Sequence, residues 1–305
     1  MSNMVFFGAG ASFGSDRQGT PPLGPALFKA LADDQPKTWG KISACEAEAF
    51  RCDFEEGMKK YGQSHASDGT VDCLQRAMAS YFFQFPLRRG SLYLKLADRI
   101  RACEWNGALA SINYERLLEL SLRNAGLNVV VGGAPEADGG IELCLPHGCC
   151  HLFGQVRTTD NIILDSRIRL DSPGIRVIED PDQHTEELRN STVPPVMCYF
   201  QPDKDTRAGV SFIKAQRQRF KELVAKAEVI GVVGVKVHCR DTHIWDPLRA
   251  TGARIIYCCK KGTKDDNEFR LWSAEASRKD DEVLPTCWKK DFDALCSAVG
   301  IMPIE

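Results

Sequence analysis

The chain has 305 residues, 43% of them hydrophobic and 26% charged. That composition excludes disordered, collagen-like and coiled-coil classes, and the length fits two domains, or one large domain carrying an insertion. With 39 Lys plus Arg against 41 Asp plus Glu the formal net charge is -2, so nothing draws the whole chain to phosphate backbones or anionic lipid, and binding to either would need a local patch. In chain order, the apolar run Met4 to Phe7 ends in Gly8-Ala9-Gly10-Ala11-Ser12, a buried strand feeding a glycine turn. A helix is expected near Pro25, and from about Ala32 to Cys103 the apolar residues recur at three- and four-residue spacing, as in Leu74, Met78, Tyr81 and Phe82, so this block is helical throughout. Strands and helices then alternate. Strands are expected at Ala108 to Ile112, Asn128 to Val131 and Ile141 to Leu145, with a helix over Tyr114 to Asn124. Gln155 to Asn190 is charged and turn-rich and yields no assignment. Beyond it come a short apolar run, Val196 to Phe200, a long amphipathic helix over Val210 to Lys226, strand Val229 to Val235, helix Ile244 to Thr251, strands Arg254 to Cys258 and near Val283, and a closing helix around Phe292 to Cys296.

Repeated strand–helix–strand units predict an α/β protein, a Rossmann-like parallel sheet with helices on both faces and an inserted helical lobe. The expected division is a core of residues 1–31 plus 104–305, with 155–190 an irregular insertion, and a helical subdomain of residues 32–103. No apolar stretch approaches the roughly 20 residues that span a bilayer, and Met1 to Gly10 lacks the basic start and apolar core of a secretory signal. A cytoplasmic protein is therefore expected. The 13 cysteines, odd in number and dispersed, read as free, buried thiols rather than a disulfide framework.

In such sheets ligands sit at the carboxyl ends of the strands, so the loops after strands carry the chemistry. Gly8 to Ser12 is either a pyrophosphate cradle at the start of a helix or a tight turn. Ser111-Ile112-Asn113-Tyr114-Glu115 offers an amide and a carboxylate to the crevice, or a helix cap and a first-turn acid. Pro146-His147-Gly148 places a histidine where it can act as a base near neutral pH, or serve the structure alone. Gly231 to Gly234, with Asp241-Thr242-His243-Ile244, offers a resting place for adenosine, or a helix capped by Asp241.

Taken in order, these motifs resemble the sirtuin-like NAD-hydrolysing domains, in the bacterial branch found in antiphage defence proteins. Gly8-Ala9-Gly10-Ala11-Ser12 with Pro22-Leu23-Gly24 is similar to that branch's N-terminal cofactor loop, Asn113-Tyr114-Glu115 to its Asn-Tyr-Asp, and His147-Gly148 to its catalytic His-Gly. Val196 onward, then Gly231, Gly234, Asp241 and His243, resemble its last strands and final loop. The resemblance implies an NAD+ glycohydrolase giving nicotinamide and ADP-ribose. Asn113 would hold the nicotinamide ribose and the attacking water, and His147 would act as base. Gly8 to Ser12, Pro22 to Gly24, Tyr114, Glu115, Gly231, Gly234, Asp241 and His243 would line the NAD+ site. It also implies control by homo-oligomerisation or by a regulatory partner such as an ATPase, with neither nucleic acid nor membrane bound directly.

Two departures bear on the activity. The chain has no Cys-x-x-Cys, the pairing with which deacylating sirtuins hold a structural zinc, and Glu115 stands where the branch has Asp. Both Cys149-Cys150-His151 and His238-Cys239 with His243 bring His and Cys close together, but adjacent cysteines chelate one ion poorly and neither spacing matches a zinc loop. No metal is expected. The readings left open are a protein ADP-ribosyltransferase or deacylase, and an NAD or ADP-ribose sensor without turnover.

Overall fold

In strand β1 (Ser2–Phe7) Met4 and Phe6 alternate with Val5 and Phe7, and since successive strand side chains point to opposite faces, this one strand feeds two separate cores. The computed structural model describes residues 2–65, 69–132, 140–155, 161–164, 168–171, 174–191, 193–199, 204, 206–238 and 240–303. After β1 come α1 (Ala9–Phe13), α2 (Gly24–Asp34), α3 (Ala44–Cys52), α4 (Phe54–Ser64), α5 (Thr70–Phe83) and α6 (Leu92–Ala102). Then follow β2 (Ala108–Ser111), α7 (Leu117–Asn124), β3 (Val129–Val131), β4 (Ile141–Cys144), β5 (Leu152–Gly154), β6 (Asn161–Leu164), β7 (Ile168–Asp171), β8 (Ile175–Val177) and α8 (Pro181–Asn190). The chain closes with α9 (Val210–Lys226), β9 (Ala227–Val233), α10 (Thr242–Ala250), β10 (Arg254–Cys258), α11 (Lys264–Glu275), β11 (Glu282–Leu284) and α12 (Trp288–Ala298).

Seven strands form one parallel sheet in the order β11-β10-β9-β1-β2-β4-β3. One face carries Met4, Phe6 and Ala110 against Phe220, Trp245, Leu248 and Phe269 of α9, α10 and α11. The other carries Val5, Phe7 and Leu109 against α12 and the helices between β1 and β2. Burial on both faces is what a parallel sheet requires. The helices α2 to α5 hold their own aromatic cluster, in which Phe28 stacks on Phe50 at 5.2 Å, Trp39 on Phe54 at 5.6 Å, and the Trp39 indole N–H donates to the Leu74 carbonyl at 3.1 Å. They are tied back to the later chain by Gln75 Nε2 to the Met197 carbonyl (2.6 Å), by Arg240 to Glu56 (2.5 Å) and by a Lys204–Glu55 ion pair.

Register decides where the loops meet. Phe7 pairs with Ser111 on one side and Val233 on the other, and Val233 pairs with Cys258, so these strands end level at one edge. The chain leaves β1 toward β2 and later returns on the opposite side through β9, which makes the β1 edge the point where strand order reverses.

The described structure differs from expectation in several places. The helix expected from Tyr114 begins at Leu117, because Glu115 takes the Leu117 N–H at 2.5 Å and so ends the loop instead of joining the helix. The run from Val196 makes only an isolated bridge, Met197 with Gly148, while Phe200 lies outside the described residues. Residues 155–190 contain β8, paired antiparallel with the preceding β5, an antiparallel β6–β7 pair and α8. Helix α11 has no counterpart in the sequence reading, since its buried apolar residues are Phe269 and Trp272 alone among charged ones. No disulfide joins the described cysteines; Cys144, Cys149, Cys150, Cys198, Cys258 and Cys296 are buried, whereas Cys45, Cys52, Cys73 and Cys287 are exposed on their helices and loops. No helix among the described residues is long and apolar enough to cross a membrane.

Candidate active site

The glycine loop and the loop after β9 lie against each other. Gly8 N–H donates to the Val233 carbonyl and Gly10 N–H to the Gly234 carbonyl, both at 2.9 Å, and Ala11 N–H donates to the Gly8 carbonyl at 2.9 Å. A Cβ on Gly8 would meet the Gly234 carbonyl at 2.6 Å, and one on Gly10 the Gly234 Cα at 2.9 Å. The glycines are thus demanded first by loop–loop contact. The Gly8, Gly10 and Ala11 N–H groups are already bonded, so these three are not free donors for a ligand. Ala9 is exposed, at the start of the short α1.

Ser12, Asn113 and Glu115 converge in one buried network. Asn113 Nδ2 donates to Ser12 Oγ at 2.8 Å and to the Gly8 carbonyl at 3.2 Å. Ser12 Oγ donates to Glu115 Oε1 at 2.5 Å, so Tyr93, whose hydroxyl is 2.9 Å from Ser12 Oγ, is the donor in that contact. Burial raises the Glu115 pKa against the pull of these bonds. The carboxylate expected to face the ligand is instead turned inward, accepting from Ser12 and from the Leu117 N–H, and it fixes the loop that carries Asn113. The Asn113 Oδ1, buried, has no partner. A buried acceptor left so costs on the order of 1–3 kcal/mol and marks a place for a ligand donor or a water.

His147 follows β4 in a turn that Gly148 makes possible at φ +72; a Cβ there would sit 1.9 Å from the Val196 carbonyl. The ring stacks on Tyr114, with centroids 6.4 Å apart, is hydrogen-bonded to the Ile112 backbone, and meets His243 with Nε2 to Nε2 at 2.7 Å. Burial, then His243, Lys204 and Arg217, push its pKa well below 6.5, so it is a neutral base at pH 7. His243 stands in the first turn of α10, lowered to about 3 by burial and by Arg217 and Lys204. Asp241, at the cap position of α10, makes no side-chain cap bond; Ile244 and Trp245 N–H groups go to its backbone carbonyl, and its Oδ1 is buried without a partner.

Four expected ligand contacts stand apart from this cluster. Gly231 lies within β9, where a Cβ would press on Leu295 Cδ1 at 2.9 Å, so its smallness serves α12 packing. Pro22 and Leu23 are half-buried and Gly24 exposed around the start of α2, with no described hydrogen bond to Asn113 or His147. The sequence reading missed Tyr93, whose place in a helical stripe resembles core, and Lys204 and Arg217, charged residues on a loop and on α9 that no local motif marks.

A level strand edge, a glycine loop, and an asparagine and histidine on adjacent strand ends invite comparison with solved structures. The chain is similar to one from a study of the mechanism and regulation of Sir2 enzymes, with 12% identity over 98% of this chain and 92% of that one and a TM-score of 0.50. The chain has a Sir2-like fold. A Sir2 homologue in complex with NAD (13% identity, 90% of each chain, TM-score 0.47) and Sir2Tm bound to a propionylated peptide (13% identity, 91% and 94%, TM-score 0.43) are further, weaker likenesses. No family model and no curated protein matches the chain.

Beside this site, Cys149, Cys150 and His151 bring their ligand atoms within 4.8 Å of one another, all buried. Cys149 Sγ donates to the Tyr114 and Glu115 carbonyls at 3.2 and 3.5 Å, and burial holds its pKa well above 9. A thiolate there would face two carbonyl oxygens, so the set suits a buried thiol better than a metal ligand. Cys239 lies outside the described residues. His151 lies 2.8 Å from Glu119; burial opposes its charge, but the Cys149 sulfur and the Glu119 carboxylate raise its pKa to about 10.

These histidines set a pH dependence of stability. His184, stacked on Phe83 at 3.8 Å, is lowered by burial to about 4, and His147 and His243 are also lowered. Each titrates near 6.5 when unfolded, so the unfolded chain binds more protons as pH falls. Their contribution is complete above about pH 7 and is lost on acidification, by about 1.4 kcal/mol per pH unit per histidine. His151 acts in the opposite sense: its contribution is complete below about 6.5 and is lost as pH rises toward 10. Thermal unfolding is therefore expected to show a maximum near neutral pH with a steep acid limb between pH 6.5 and 4.5, shallower in His184→Gln. A melting temperature flat from pH 7 to 5 contradicts the burial of neutral histidines.

Proposed function

We propose that the protein is an NAD+ glycohydrolase that cleaves the nicotinamide–ribose bond to give nicotinamide and ADP-ribose. The observation that carries this reading is the Asn113 amide. Ser12, Glu115 and Tyr93 lock its nitrogen side, while its oxygen is buried and unpartnered one residue from Ile112, whose backbone also holds His147. A carboxamide oxygen held this way can position a ribose hydroxyl or a water at the anomeric carbon, and a neutral histidine can take the proton that water loses. Nicotinamide departs from a pyridinium as a neutral molecule, so the leaving group needs no acid. The Sir2-like fold and the NAD complex of a Sir2 homologue support NAD+ as the substrate. The absence of Cys-x-x-Cys favours destruction of NAD+ over deacylation of a protein.

On this reading the residues of the glycine loop, Asn113, Tyr114, His147, Gly234, Asp241 and His243 line the site. Residues 1–31 and 104–305 form the NAD-binding core, and residues 32–103 an inserted helical subdomain. The resemblance to antiphage domains supports a cytoplasmic, NAD-depleting defence effector held in check by self-assembly or by a partner protein. The test is nicotinamide release from NAD+ by concentrated full-length protein with no peptide present. One nicotinamide and one ADP-ribose per NAD+ consumed is expected. Release that requires an acylated peptide points to a deacylase, and a melting-temperature rise without any release points to a sensor.

A further inference from the structure

His147 and His243 meet head to head, Nε2 to Nε2, at 2.7 Å with ring centroids 5.0 Å apart. At that separation one nitrogen carries a proton and the other accepts it. The remaining nitrogen of His147, Nδ1, is left for the Ile112 backbone carbonyl. A carbonyl only accepts, so Nδ1 bears the proton of the neutral ring and Nε2 bears the lone pair. The donor between the two rings is then His243 Nε2–H. Lys204 and Arg217 act electrostatically on both rings and oppose a charge on either, which keeps the single shared proton in place.

The nitrogen of His147 that would serve as base is therefore occupied when no ligand is bound. His147 is 3% exposed, while His243 is only partly buried and sits in the first turn of a helix that starts from a surface loop. We propose that His243 is a specificity-determining residue: it caps the lone pair of His147 Nε2 in the free protein, and the cap yields only to a ligand hydroxyl that donates to the same nitrogen. An O–H···N bond replaces the N–H···N bond one for one. A ligand without a hydroxyl at that point would leave a buried acceptor unpaired, so it competes poorly with the cap. The proposal rests on the NAD+ reading for the identity of that hydroxyl, one of the two on the nicotinamide ribose.

The test reads the rings directly, by long-range proton–nitrogen NMR of full-length protein labelled with 15N-histidine. The free protein is expected to show His147 protonated at Nδ1, with Nε2 a bare acceptor shifted by hydrogen bonding, and His243 protonated at Nε2. In His243→Phe the His147 Nε2 resonance moves to the position of an unbonded lone pair; in His243→Asn, which keeps an N–H donor, it stays nearer the parent value. NAD+ added to the parent moves His243 away from the paired signature. The dissociation constant for NAD+ falls roughly five- to tenfold in His243→Phe, the worth of one hydrogen bond that no longer has to be broken. An NAD+ analogue lacking both hydroxyls on the nicotinamide ribose binds the parent more weakly than NAD+ does and gains about as much from that substitution, since the same bond no longer has to be broken. Protonation of His147 at Nε2, a paired signature that survives NAD+ saturation, or weaker NAD+ binding by His243→Phe each overturns the proposal. If NAD+ binds neither protein, the NAD+ reading falls, and the hydroxyl-yielding cap with it; the tautomers of the free protein still report separately whether the two rings are paired.

Discussion

Replacing Asn113 by alanine is expected to reduce nicotinamide release about a thousandfold, and replacing His147 by alanine by roughly 10²–10⁴-fold, with the fold retained in both. The two losses have different origins. Asn113→Ala removes the oxygen that positions the reacting groups, and it also strips Ser12 Oγ and the Gly8 carbonyl of their common donor, so a stability loss of about 1–3 kcal/mol accompanies it. Asn113→Asp is the sharper control, because it keeps the shape but sets a carboxylate oxygen against the Gly8 carbonyl and close to Glu115. His147→Ala leaves the Asn113 network whole and removes only the base, so its loss falls on turnover more than on NAD+ affinity. Since both residues act on one step, the double variant is expected to be little worse than the poorer single one. Steady release from His147→Ala, within threefold of the parent, removes the base from the mechanism while leaving the role of Asn113 open to its own result.

The sheet was legible because its signals are local. Val210–Lys226 and Arg254–Cys258 lie where hydrophobic periodicity puts them, and β1 announces itself by an apolar run ending at a glycine. The loops were legible by topology, since parallel strands that end level bring their following residues together. What sequence could not supply was the direction of side chains. Glu115 follows the Asn-Tyr pair and reads as a ligand-facing acid, yet the helix start at Leu117 and the Ser12 hydroxyl draw its carboxylate inward. Gly231 and Gly234 stand three residues apart and read alike; only the strand end between them separates a packing glycine from a loop glycine. Tyr93 and the pairing of His147 with His243 join residues 81 and 96 positions apart along the chain from their partners, and no local pattern encodes such a contact. Helix α11 was hidden for a different reason. Its signal is a capping one, Thr263 accepting from the Asp266 N–H with two acids in the first turn, and apolar periodicity does not register caps.

Gly234→Ala is expected to destabilise the protein by roughly 3–5 kcal/mol and to loosen the glycine loop. Gly234 has φ +64, a conformation that strains any other residue by itself, and its Cβ would lie 2.0 Å from the Ala11 nitrogen and 2.4 Å from the Gly10 carbonyl carbon. Both neighbours are backbone, Gly10 N–H bonded to the Gly234 carbonyl and Ala11 N–H to the Gly8 carbonyl, so neither can yield without breaking the contacts that set Gly8 and Ser12 beside Asn113. Two other glycines calibrate the effect. At Gly231 the obstacle is the end of the Leu295 side chain at 2.9 Å, which can rotate, so Gly231→Ala is expected to cost about 1–2 kcal/mol. At Gly252 nothing lies within 4 Å, and the same change is expected to be close to neutral. Denaturant unfolding of the three variants orders them, and the 15N-histidine spectrum of the folded fraction of Gly234→Ala reports whether the site is disturbed with the loop. If Gly234→Ala costs no more than Gly231→Ala, the two loops are not in backbone contact, and Asn113 is held by its side-chain network alone.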